Sequence, residues 1–395
     1  MPRDAAISGR GLAFLLLLWS LWFLIMTVRT ILGPILPFIE DEFVTSHAKA
    51  TSLVALLALG QAAMLFASGV FAGKLGYKRS ILLCLAVSVV VFLLIPLTRT
   101  FSQVAALFFV LGLATGAYFP CIVPVVTAHF SPSLWGRALA IQDMGASIAA
   151  FAVPLLTVVL ARFLSWKQFY YVLAAAYIVS GVFFLLFSKE VRVKKELKSY
   201  LGKLLKRKDL WILAIIWTSA TGAFMAVYQV TPLYLTKELS FSVGYANTLF
   251  GLSRLGGVAF GPIMGILVDR FDVKKCMFFV LLATGASTML IGQANLVLVQ
   301  IALFLQGAAI MGFFATGLTA MSRMFRMEER SVAAGFSSTV SGVFGAALLP
   351  YLFGLAGDHI SFKFAMLVFG ALVILSSWLV YALKFPEGQG EPSQG

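Results

Sequence analysis

Residues 247–275, NTLFGLSRLGGVAFGPIMGILVDRFDVKK, hold an apolar segment with one arginine inside it and a charged turn at its end. Asn247, Gly251, Arg254, Val258 and Gly261 recur every three or four positions. On a helix they therefore share one face, where small residues admit a neighbouring backbone and Arg254 points the same way. An arginine near the middle of a membrane helix costs a few kcal/mol or more unless it meets a partner or a wet cavity. The face is thus expected to meet protein rather than lipid, and Arg254 to mark a ligand pathway. The plainer alternative is an arginine that snorkels or pairs with a carbonyl or an internal acid.

The rest of the chain fits a membrane setting. With 61% hydrophobic and 12% charged residues among 395, and a mean hydropathy of +0.97, it is too apolar for a water-soluble domain. Twelve apolar runs of membrane-crossing length follow one another, from Leu12–Ile39 to Phe364–Leu383. The first is too long for the core of a cleaved signal peptide and is expected to remain as the first span. The expected fold is an all-α membrane protein whose twelve transmembrane helices form two pseudo-symmetric six-helix bundles.

The net charge of +14 reports topology rather than nucleic-acid binding, because the basic residues lie between apolar runs. With a cytoplasmic N-terminus, 22 of the 30 Lys and Arg fall on the inner side, so both termini are expected in the cytoplasm and the protein in the cell inner membrane. The charged stretch SKEVRVKKELKSYLGKLLKRKD (188–209) divides the spans six and six, giving bundles at 1–187 and 210–385, a linker at 188–209 and a tail at 386–395. Within the linker, LKSYLGKLL has the pattern of a short amphipathic surface helix. The bundles read as repeats: an offset of 196 carries Gly69, Gly116 and Pro154 onto Gly265, Gly312 and Pro350.

The turns GVFAGKLGYKRS (69–80) and GILVDRFDVKK (265–275) occupy matching places in the two halves. They resemble the signature of the major facilitator superfamily, G-x-x-x-D-R-x-G-R-R/K between helices 2 and 3, echoed between helices 8 and 9. The resemblance implies secondary transport by rocking of the two bundles, with the signature aspartate latching one to the other on the cytoplasmic side. Gly73 stands where the first copy would carry that aspartate, while the second copy keeps Asp269 and Arg270. The implied latch is lopsided, with Asp269 expected beside the start of helix 5 at Gly136 and Arg137. A looser likeness, GLATGAYFP (112–120) followed by FSPSLWGRALA (130–140), is to the superfamily's organic-anion and organophosphate branches, with Gly136 and Arg137 in inverted order.

Arg29 and Arg254 are the two arginines inside spans, and the offset of 196 does not relate them. One from each half, they suit a carboxylate, since guanidinium offers a fork of donors and stays charged in an apolar cavity. Tyr118, Tyr228, Gln229 and Asn247 are candidate substrate contacts, the tyrosine and glutamine of helix 7 equally fitting an interfacial belt. Gln61, Gln142, Gln306 and Ser341 are weaker cavity-lining candidates, and Phe119, Phe313 and Phe314 would narrow the cavity. Asp143, the one acid well inside a span, is a candidate proton carrier or a fixed partner of Arg137.

Enzyme motifs, metal-ligand spacings and nucleotide loops are absent from the sequence, so no enzyme activity, cofactor or metal is expected. The leading expectation is a monomeric transporter, in the lipid bilayer, of a small organic anion, with protons as a coupled partner. An exporter of amphipathic drug-like or lipid-like compounds is the runner-up. A non-transporting receptor or scaffold is the reading of another class.

Overall fold

The computed structural model describes residues 9–131, 134–191, 201–293 and 295–385, and among these every regular element is helical. Twelve helical spans are long and apolar enough to cross a bilayer, from Gly11–Phe43 to Phe362–Ala382. The tail at 386–395 and the middle of the linker (192–200) lie outside the described residues, as do the surroundings of Gly73. Of the amphipathic stretch in the linker, the described part holds one short helix, Leu201–Leu204.

Several spans are not the single helices that hydropathy alone suggests. The first comprises α1 (Gly9–Thr30) and α2 (Leu32–Phe43), and the fourth comprises two helices, Phe101–Gly116 and Tyr118–His129. Proline explains both breaks: Pro34 and Pro120 have no N–H for the carbonyls four residues back, Thr30 and Gly116, where the helices end. The eleventh span carries a π-helical stretch, Gly342–Leu348, just before Pro350. The eighth breaks at Arg254 itself, between Val243–Ser253 and Leu255–Arg270.

The chain falls into two compact units: residues 1–43 with 56–196, and residues 44–55 with 197–395. In the first unit, glycines set helix spacing. A Cβ on Gly112 would strike the carbonyl of Leu57, and one on Gly116 would stand 2.6 Å from the carbonyl of Gln61. The signature turn of this unit needs Gly76, whose φ is +88°. Beside it Lys78 Nζ donates to the carbonyls of Leu185 (2.8 Å) and Ser188 (2.6 Å), and so caps the end of helix Phe169–Phe187.

The second unit takes in, besides 210–385 and the flanking residues 197–209 and 386–395, the segment 44–55, which holds the start of helix His47–Leu75. The chemistry is a cap. Asp358 accepts from the backbone N–H of His47 (2.7 Å) and of Ala48 (2.9 Å), placing a carboxylate on a helix N-terminus. Gly354 lies against the same turn, at His47, Ala48 and Thr51.

Candidate functional site

Arg254 caps both halves of its span. Its N–H donates to Gly251 O at 3.0 Å and its carbonyl accepts from Gly257 N at 3.0 Å, both i to i−3 bonds where the α-helical ladder is interrupted. The local sequence favours this, because Gly256 and Gly257 are poor helix formers. Those glycines also allow close packing against helix Leu296–Met324: a Cβ on Gly257 would stand 2.6 Å from Gly307 O, and one on Gly307 would stand 2.7 Å from Ser253 O. Broken membrane helices bring backbone polar groups and binding residues to the middle of the bilayer.

The guanidinium is buried, at 2% exposure. Its Nη1 donates to Gln306 Oε1 at 2.9 Å, and Gln306 Nε2 in turn donates to the carbonyl of Ala223 at 2.8 Å. Two aromatic rings lie against the charge, Phe250 with its centroid 4.6 Å and Tyr228 with its centroid 5.6 Å from Cζ, and they meet each other edge to face at 4.7 Å. The remaining donors, Nε and Nη2, are buried and have no hydrogen-bond partner among the described residues. They share one edge of the guanidinium and form a fork whose spacing matches the two oxygens of a carboxylate.

The structure therefore joins three of the expected residues, Arg254, Tyr228 and the weaker candidate Gln306, and adds Phe250 to them. Gln306 appears in the sequence only as one of several mid-span polar residues, and Phe250 as one of many aromatics. A signal for Gln306 exists: it is the eleventh residue of its span as Arg254 is the twelfth of its own, and both spans run the same way across the membrane. Gln229 and Asn247 are buried in the same unit.

In the first unit, Tyr118 and Asp143 meet through a residue not singled out in the sequence, Trp22. The Trp22 indole N–H donates to Asp143 Oδ1 at 3.2 Å, and its ring stacks on Tyr118 with centroids 5.6 Å apart. The Tyr118 hydroxyl donates to Leu18 O at 3.4 Å. Arg29 is half-buried in the last turn of α1, two turns beyond Trp22. Asp269 and Arg270 are exposed in the last turn of helix Leu255–Arg270, and Arg137 is exposed in the first turn of helix Trp135–Leu160.

A polytopic helical membrane protein with broken spans and a buried, partly unpaired arginine is the build of a secondary transporter. The sequence profile of the Major Facilitator Superfamily matches residues 18–254 and again 230–394, and the chain belongs to that family. It is 26% identical over 349 residues to the inner membrane metabolite transport protein YhjE of Escherichia coli strain K12, covering 78% of this chain and 77% of that one. Shorter stretches match the class H tetracycline resistance protein of Pasteurella multocida, 29% over 171 residues and 42% of each chain. The hexuronate transporter of Escherichia coli strain K12 matches at 29% over 161 residues, 39% of this chain and 36% of that one. Among solved structures, the bacterial homologue of the human lysosomal transporter Spinster superposes with a TM-score of 0.81 at 13% identity, over 96% of this chain and 97% of that one. The protein is a secondary transporter of this superfamily and not an enzyme.

Proposed function

We propose that the protein transports a small organic anion, a carboxylate above all, by alternating access, with Arg254 as the principal anion contact. The observation that supports this is the enclosed Nε/Nη2 edge. A buried guanidinium with two unpaired nitrogens carries the desolvation cost of its charge without the compensating bonds. A carboxylate gripped by both would supply two charge-assisted hydrogen bonds at once, each contributing roughly 1.5–3 kcal/mol. A relative that carries hexuronates, which are sugar acids, agrees with this chemistry. The tetracycline resistance relative favours the runner-up, export of amphipathic compounds, for which the rings of Phe250 and Tyr228 would be the contacts instead.

Asp143 is proposed as the proton-coupling group, supported by its place inside a span with the Trp22 indole as its hydrogen-bond donor, and Asp269 as the cytoplasmic latch. The protein is proposed to work as a monomer in the inner membrane; its Lys and Arg distribution supports a cytoplasmic place for both termini. Uptake into proteoliposomes of labelled pyruvate, lactate, benzoate and glucuronate, with and without a pH gradient, tests the reading. At least one acid should accumulate, and Asp143→Asn should abolish gradient-driven accumulation while leaving exchange, which needs no net protonation change. Equal gradient-driven uptake by Asp143→Asn removes the proton role, and transport of amphipathic drug-like or lipid-like compounds in place of all four acids favours the runner-up.

A further inference from the structure

Gln306 is fully buried, at 0% exposure, in the middle of an apolar helix, and its amide is used at both ends. The chemistry fixes its orientation, since the Ala223 carbonyl can only accept and the Arg254 guanidinium can only donate. Arg254 is affected in two ways. Its Nη1 is held, so the edge left for a ligand is the one bearing Nε and Nη2. Its charge is also left whole, because the residue holding it is neutral.

The neutrality of Gln306 decides the charge of the site. The acids of the second unit among the described residues, Asp209, Glu238, Asp269, Asp272, Glu328, Glu329 and Asp358, all stand at span ends or between spans. Asp269, the one on the same span as Arg254, is fifteen residues further on, about 22 Å along a helix. Nor can the guanidinium shift freely. Phe250 and Tyr228 lie against it, with ring centroids 4.6 Å and 5.6 Å from Cζ, and Gln306 holds its Nη1.

Resting on the anion reading of Arg254, we propose that Gln306 is a specificity-determining positioning residue. It turns the guanidinium so that only its Nε/Nη2 edge is offered, selecting a planar two-oxygen group. By staying neutral it requires the ligand itself to bring one negative charge. Glutamate at this position would form a buried pair with Arg254 and cancel that charge, whereas methionine would keep the charge and release Nη1.

The test measures binding to the purified full-length protein of whichever acid among pyruvate, lactate, benzoate and glucuronate binds tightest, with its uncharged amide and its sulfonate analogue. Wild type should prefer the acid to the amide by about tenfold or more, and the acid to the sulfonate. Gln306→Glu should bring the acid-to-amide preference down to about one, through cancellation of charge. Gln306→Met should keep the preference for charge but lose the preference for carboxylate over sulfonate. Gln306→Met alone decides if the glutamate variant does not fold. A wild-type acid-to-amide ratio in Gln306→Glu, or a wild-type acid-to-sulfonate ratio in Gln306→Met, overturns the inference alone. Equal binding of acid and amide by wild type overturns the anion reading beneath it as well.

Discussion

Arg254 shows how much a single side chain can carry in an apolar medium. Because hydrogen bonds to charged groups contribute roughly 1.5–3 kcal/mol, Arg254→Ala should weaken binding of a carboxylate by about tenfold or more. Arg254→Lys should recover part of that loss, as an ammonium restores the charge but not the fork. Arg29, half-buried in its own unit, should give the same pattern more mildly on replacement by alanine. Titration calorimetry on the purified variants reads all three, and Lys and Ala behaving alike at Arg254 would show that charge there does not matter. That Arg254 faces protein rather than lipid is legible in the sequence, because an arginine inside an apolar run needs a partner or a wet cavity. Its partners are not legible in the same way. Gln306 is 52 residues away and Ala223 is a main-chain carbonyl, which no side-chain pattern announces.

At the scale of the element, the sequence shows that the helices exist and hides where they break. Hydropathy detects apolar length, and the halves of each broken span are as apolar as a continuous helix would be. Pro34 and Pro120 each end a helix four residues upstream, but Pro37, Pro124, Pro154, Pro232 and Pro262 lie inside helices that continue, so the position of a proline alone does not tell where a span breaks. The break at Arg254 has no proline at that spacing, and comes from Gly256 and Gly257 with the close approach of Gly307. The cap on helix His47–Leu75 is likewise hidden, since Asp358 is 310 residues from Ala48. Removing it by Asp358→Ala should destabilise the protein by about 1 kcal/mol, the usual worth of a helix N-cap. A thermal melt in detergent should show a lower midpoint for this variant, and an unchanged midpoint would mean that the N–H groups of His47 and Ala48 find other partners.

At the scale of the whole molecule, composition and span count lead to the family, and the internal offset of 196 points to repeated halves. Substrate choice is a different matter, because relatives of similar identity bear names as different as hexuronate transport and tetracycline resistance. What separates the readings is whether the buried guanidinium of Arg254 binds an anion, as proposed, and that can be tested without knowing the natural substrate. The most direct measurement is the binding of pyruvate, lactate, benzoate and glucuronate, each beside its uncharged amide, to purified wild type and to Arg254→Ala. The account predicts that wild type binds at least one acid about tenfold or more tighter than its amide and that Arg254→Ala loses this preference. Equal affinity of wild type for every acid and its amide would contradict it.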